Sequence, residues 1–341
     1  MKRGSMISVV SLLAAFLVLT AWTPARAQTV WKHHSLTNPG HMTIDAEIWL
    51  AQEVEKRTGG KLKITIYPGG ALGFAGARIL TVVKDGLVES AQMWGAHVAG
   101  DLRIAEVIEL PGLIPYDIPL RKKIVEAMKP YWEKAMGGRF NTIQLSVAQV
   151  EPRNIYSKKP IKTLADLKGM KIRSQGPVET QFTNVIGATA VTLEWAELYP
   201  ALQQGIVDGY WVTHSGTWNA KLHEVAKYEW DVGLGGATWN IVVNKTAFNK
   251  LPPDVQKILL ELGRGASEMV WERVDKDIKD FRARLEKAGM TFIPAPAEDI
   301  KVMVEKSKGI WNDWIQKAGP EGKEMVTKIQ AIVGQSRAQL R

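Results

Sequence analysis

The 341-residue chain has no cysteine. That excludes a disulfide scaffold, thiol chemistry and lipid attachment through an N-terminal cysteine. It also has no Gly-x-Ser-x-Gly elbow and no Gly-x-x-x-x-Gly-Lys phosphate loop, so two common frames for acyl and phosphoryl chemistry are missing. Histidine is scarce: His33, His34, His41, His97, His214 and His223 show no metal-ligand spacing, and the segment after His223 lacks the second histidine of a zinc helix. His41 and Asp45 stand one turn apart, which reads as a surface pair on a helix. Long runs of one charge are absent as well. The formal charge is +9, with acids and bases mixed along the chain. A nucleic-acid surface would cluster its charge, so the surplus reads as a mild attraction for anions, or simply as solubility.

Only one long apolar run occurs, from Ile7 to Ala21, preceded by Lys2 and Arg3 and followed by Ala25-Arg26-Ala27. A basic start, a short apolar stretch and small residues at a cleavage site define a secretory signal peptide. Residues 1–27 are expected to be removed before Gln28. The run falls short of the roughly 18–20 residues of a membrane span, and a bacterial periplasm is the expected compartment. Without Lys2, Arg3 and Arg26 the formal charge is +6. At 45% hydrophobic and 23% charged residues, the remaining chain can bury a sizeable core in two domains or one large one.

What is present is an alternation of strand and helix. "TVWKHHSL" reads as a strand, His41 to Arg57 as a helix closed by Gly59-Gly60, and "KLKITIY" as a half-buried strand. "GGALG" at Gly69 to Gly73 reads as a tight turn, or less readily as an anion cradle. A helix over 74–84 and a strand over 88–94 follow. In the second half, Thr163 and Asp166 form a capping box. "MKIRS", "ATAVTL" and "IVDGYWV" then read as strands separated by helices over 177–186 and 195–204. "WNIVVN" is a further strand, able to return the chain to the first domain. From Pro252-Pro253 to about Ala288 the pattern is helical. "TFIPAP" is a brief extended piece, and two helical stretches close the chain. Such alternation predicts α/β domains with ligands at the carboxyl ends of the strands. Arg173 ends the "MKIRS" strand, and Trp94, Trp211 and Thr213 also stand at strand ends. Arg173 is either a solvated strand end or a fixed cation aimed into a cleft. Tryptophan is abundant, with 13 copies. Each of Trp94, Trp195, Trp211, Trp218 and Trp239 suits a core, and as a group they would also suit a desolvated pocket.

The stretch "SKKPIKTLADLKGMKIRSQGPVETQFTNVIGATAVTLEWAELYPALQQGIVDG" resembles the central signature of the periplasmic solute-binding proteins of TRAP transporters, the DctP-like family. The matching elements are Pro-Ile, Asp-Leu-x-Gly-x-Lys-Ile-Arg, a Gly-Ala pair, and Glu-x-Tyr-x-Ala-Leu-Gln-x-Gly-x-Val-Asp-Gly. "EVEKRTGGKLKITIYPGGALG" upstream and "VNKTAFNKLPPDVQKIL" downstream also fit. The resemblance implies a venus-flytrap periplasmic binding protein with two α/β domains, mixed sheets and a long spanning helix. Residues 28–150 with 239–280 would form domain I. Residues 151–238, with part of 281–341 and the C-terminal helices, would form domain II. Closure over a small organic acid and delivery to an ion-driven membrane permease are implied, with Arg173 pairing the ligand carboxylate and Arg153 matching a second arginine. A guanidinium fork suits a carboxylate through two parallel hydrogen bonds.

The departures from the family matter too. Where many members carry a Gln-Glu-Asn run, this chain has Tyr210-Trp211-Val212-Thr213, with Thr213 at the position of the asparagine. Tyr210 replaces a glutamate that helps hold a cation in one branch, so no metal and no cofactor are expected. Fewer polar groups, with Trp94, Trp195 and Trp211 added, point to a monocarboxylate with an apolar or aromatic body. The expected partners are that acid and the TRAP permease subunits, with no nucleic acid, and the protein itself is expected to be a monomer. Two alternatives stand: a secreted enzyme, for which Glu194, His214 and Asp208 are the only candidates, and a ligand sensor docking on a receptor. Gly263 and Gly265 are either points where the long helix yields on closure or a short break between two helices.

Overall fold

The computed structural model describes residues 28–339; residues 1–27, the expected signal peptide, lie outside them. The chain opens with β1 (Thr29–His34) and α1 (Met42–Arg57). Met42, Ala46, Leu50 and Val54 are buried one turn apart on α1, the stripe that drives a helix onto a sheet. Gly59 and Gly60 end it with φ of 60° and 79°, a left-handed conformation in which glycine carries no Cβ penalty. β2 (Leu62–Tyr67), α2 (Ile79–Lys84) and β3 (Ser90–Trp94) follow. Between β2 and α2, Gly69, Gly70 and Gly73 are left-handed, and their amides donate to the carbonyls of Thr37, Ser35 and Gly70. The loop is therefore a tight turn whose N–H groups are already engaged, not an anion cradle.

The next elements are α3 (Ile118–Arg139), β4 (Thr142–Gln149), β5 (Arg153–Ser157), β6 (Lys171–Ser174), α4 (Pro177–Val185), β7 (Thr189–Thr192), α5 (Leu198–Gln204), β8 (Gly209–Val212) and α6 (His214–Asn219). Before β6, Thr163 and Asp166 form the reciprocal capping box over a single 3₁₀ turn. The chain continues through β9 (Tyr228–Leu234), β10 (Thr238–Asn244), α7 (Lys245–Asn249), α8 (Pro253–Lys287), β11 (Thr291–Pro294) and α9 (Ala297–Gln339). Gly319 interrupts α9 with φ 73° and ψ −161°, just before Pro320, so two helices meet there at a kink.

The strands form two mixed sheets, ordered β2-β1-β3-β10-β4 and β11-β9-β5-β8-β6-β7. The chain leaves the first sheet after β4, returns to it as β10, and contributes β11 to the second. Helix α8 ties the two together. Near its start, the Gly263 carbonyl accepts from Ser146 on β4; near its end, Arg282 pairs with Asp231 on β9 at 3.0 Å. At 35 residues it is about 50 Å long.

Gly263 and Gly265 do not break this helix. A Cβ at 263 would overlap the Leu145 carbonyl oxygen, and one at 265 would lie 2.8 Å from the Trp49 ring. These glycines let α8 lie directly on β4 and α1, so close approach, not helix termination, explains their place in the sequence.

Candidate functional site

A cleft of about 740 Å³, counting the space open to solvent, lies between the two sheets. The first sheet's side contributes Leu36, His41, Trp94 and His97; the second's contributes Arg153, Gln175, Trp195 and Thr213. The two sides touch nearby: a Cβ at Gly176 would lie 2.9 Å from the Ala96 carbonyl oxygen. A smaller cavity of about 400 Å³ lies on the other side of Arg153, which lines both.

Four of the six residues expected at the site, Trp94, Arg153, Trp195 and Thr213, line this cleft. Trp94 is held by Gln92, whose Oε1 accepts from the indole N–H at 3.0 Å and from the Leu36 amide at 3.1 Å. Gln92 in turn donates to Thr37 and to buried Glu47, at 2.9 and 2.7 Å. That chain of bonds fixes one wall. On the other side, the Thr213 hydroxyl caps α6 by accepting from Gly216 N at 3.1 Å and also contacts Ser215. It keeps little capacity for a ligand.

Arg173 is 1% exposed and stands behind Gln175 and Trp195 without lining the cleft itself. Its Nε donates to the Leu193 carbonyl at 3.2 Å, and one amino group reaches Gln175 Oε1 at a long 3.4 Å. The guanidinium lies 5.8 Å from the Trp195 ring centroid. Among the described residues no carboxylate pairs with it. Burial pulls its pKa down to about 10, with Arg153 adding repulsion and Glu179 opposing it. Arg153 differs sharply: its two amino groups donate to Glu179 at 2.6 Å and to Glu109 at 2.8 Å. Glu109 belongs to the stretch before α3, so this triad crosses between the sheets.

Trp211 faces elsewhere. Its indole donates to Thr183 at 2.9 Å, packs on Phe182 and lines the smaller cavity. Strand alternation is the reason: Tyr210 and Trp211 take opposite faces of β8, and Tyr210 stacks on Tyr156 in a separate core. Trp239 is fully buried against Glu47, and Trp218 stacks on His223. The enzyme candidates have structural partners: Glu194 shares a capping box with Glu197, Asp208 accepts from Lys171 N at 2.8 Å, and His214 pairs with Glu229 at 3.0 Å. None of the three lines the cleft. Among the described residues no three His, Asp or Glu side chains are arranged to hold a metal.

His41, read from spacing as a surface residue, is 5% exposed and lines the cleft. It caps α1, its Nδ1 accepting from Thr43 N at 3.2 Å. Sequence reasoning missed it because histidine is an unusual cap; the start of the helical stripe at Met42 was the available signal. Burial lowers its pKa to about 4, with Glu47 and Asp45 pulling the other way. The folded state therefore keeps it neutral, while the unfolded chain takes up a proton below about 6.5. Stability is present above pH 6.5 and lost as pH falls toward 4. Relative to His41→Asn, which keeps a capping oxygen, the wild type should lose about 1.4 kcal/mol per pH unit in that window. Urea unfolding at several pH values checks this, and parallel stability curves would contradict it.

Two sheets joined by a long helix, with a cleft between them and, behind its wall, a buried arginine that has no carboxylate partner among the described residues, define a two-lobed solute receptor. The chain belongs to the DctP family, bacterial extracellular solute-binding protein family 7, whose model matches residues 33–317. This is the TRAP-type class of binding receptors rather than enzymes. A solute-binding protein of Albidiferax ferrireducens is 28% identical over 275 residues, 77% of this chain and 79% of its own. The crystal structure of DctP6, a Bordetella pertussis extracytoplasmic solute receptor binding pyroglutamic acid, is 27% identical. It has a TM-score of 0.84 and covers 89% of this chain and 100% of its own. A TRAP periplasmic solute-binding protein from Desulfovibrio salexigens shares the fold, with a TM-score of 0.84 at 23% identity over 90% of this chain and 99% of its own.

Proposed function

We propose that this receptor captures a compact monocarboxylate with a largely apolar body in the bacterial periplasm and delivers it, as a monomer, to a TRAP membrane permease. The observation that carries this reading is Arg173, a fully buried guanidinium with no carboxylate partner among the described residues. A buried charge is costly until paired. The bond to Gln175 is the weakest it makes, and an incoming carboxylate would displace it. Trp94 and Trp195 on opposite walls would cover the body of the acid, and lobe closure would follow because these contacts coexist only when the walls meet. Arg153 is already paired with two carboxylates and would serve the lobe contact, not the ligand. The Bordetella receptor's pyroglutamic acid is a small ring acid of the expected size.

Tryptophan fluorescence and thermal unfolding, titrated with cyclic, aromatic, linear and sugar carboxylates, test the reading. Compact ring acids should quench fluorescence and, at 100 times Kd, stabilise the protein by about 2.7 kcal/mol. A response to sugar acids alone would refute the apolar body, and equal binding of uncharged esters would refute the role of Arg173.

A further inference from the structure

We propose that Gly76 is a specificity-determining position of the cleft that acts through His97: the room left by its absent side chain seats the imidazole so that its free edge meets a neutral hydrogen-bonding group of the bound acid. This rests on the acid-binding reading above. Gly76 opens a 3₁₀ turn, Gly76–Arg78, and is not among the left-handed glycines. Its backbone would accept any residue, so its conformation does not explain why glycine stands there. Space does. A Cβ at 76 would overlap His97 Nδ1 and lie 3.0 Å from Leu36 Cδ1 and 3.1 Å from His97 Cγ. His97 and Leu36 both line the cleft. A side chain at 76 must therefore displace cleft wall.

The ring orientation follows from the same contact. His97 Nδ1 is buried against Gly76 and has no hydrogen-bond partner among the described residues, which leaves Nε2 as the ring nitrogen on the cleft side. Burial, and then the charges of Arg173 and Arg153, hold the imidazole neutral, with a pKa near 3. A neutral ring offers one N–H or one lone pair, so it suits a lactam, amide, carbonyl or hydroxyl and not a second carboxylate.

Calorimetric titration with pyroglutamate, cyclopentanecarboxylate and propionate tests the inference in four proteins: wild type, Gly76→Ala, His97→Ala and the double variant. The wild type should prefer pyroglutamate over cyclopentanecarboxylate by up to about tenfold, the value of one neutral hydrogen bond, and His97→Ala should erase that preference. Gly76→Ala should weaken both ring acids about tenfold or more and leave propionate within about twofold. The double variant should recover ring-acid binding without the preference. Ring-acid binding unchanged in Gly76→Ala, or no recovery in the double variant, overturns the inference alone. A wild type that binds none of the acids overturns the acid-binding reading and this inference with it. If Gly76→Ala melts far below wild type, the double variant decides: recovered melting temperature and ring-acid binding support the proposal, and their absence defeats it.

Discussion

Replacing Arg173 with methionine should weaken ligand binding by about 30-fold or more while leaving the empty protein as stable as wild type, or more so. The side chain is buried and charged, and no carboxylate faces it among the described residues. Burial has already dragged its pKa to about 10. An apolar chain of similar length keeps the packing and removes the desolvation cost, a change that is often neutral or stabilising. The ligand, by contrast, would lose its charged partner inside a closed cleft. Truncating one member of such a pair costs about 2–5 kcal/mol, roughly 30-fold to several-thousand-fold in Kd. Arg173→Lys should recover only part of this, because an ammonium keeps the charge and loses the fork. Calorimetric titration and urea unfolding on the same samples give both numbers. Unfolding by several kcal/mol in Arg173→Met, or retained affinity, would show that the guanidinium is a structural group.

Arg153→Met should do the reverse to stability. Arg153 and Arg173 are both buried, at 7% and 1% exposure, but Arg153 neutralises Glu109 and Glu179 at 2.8 and 2.6 Å. Without it, two carboxylates remain buried and uncompensated, and breaking such a pair costs about 3–5 kcal/mol. The deficit depends on pH. Burial already raises the pKa of Glu109 even with the arginine present, and removing the cation raises it further. A carboxyl whose folded pKa is raised is tolerated below the unfolded value and destabilises as pH rises through the folded one. The variant should therefore be weakest near pH 8 and approach wild type on acidification. Adding Glu109→Gln and Glu179→Gln should restore most of the stability at pH 8. A deficit that persists unchanged at pH 5, or fails to shrink in the triple variant, would count against the triad as the lobe contact.

Much of this fold is written locally. The alternation in "KLKITIY", the left-handed Gly59-Gly60 stop and the Thr163–Asp166 capping box each involve residues within a turn or two, and all are present in the structure. The long helix was also legible from its period. Helix α3 was not assigned, although Leu120, Ile124, Met128, Trp132 and Met136 are buried at four-residue spacing; Pro130 and Gly137-Gly138 disguise the stripe as punctuation. Strands β4, β5 and β9 were not assigned either. Their lengths are ordinary, and their identity comes from pairing across the second sheet and with β10, which lies far off in sequence.

The sequence by itself determined the family and the α/β grammar, and it marked Arg173 at its strand end, because these depend on residue order and on periods of two and near four. Only the tertiary structure decided which of two similar arginines is left without a counter-ion. Glu109 and Glu179 stand 44 and 26 residues from Arg153, and no local pattern joins them. It also decided that Trp211 turns away while Trp94 and Trp195 both line the cleft, that His41 is buried, and that Gly263, Gly265 and Gly76 are spaces reserved for Leu145, Trp49 and His97. Charge compensation and close packing are set by what lies across a gap a few ångströms wide, and chain order fixes that only once the two sheets have been brought together.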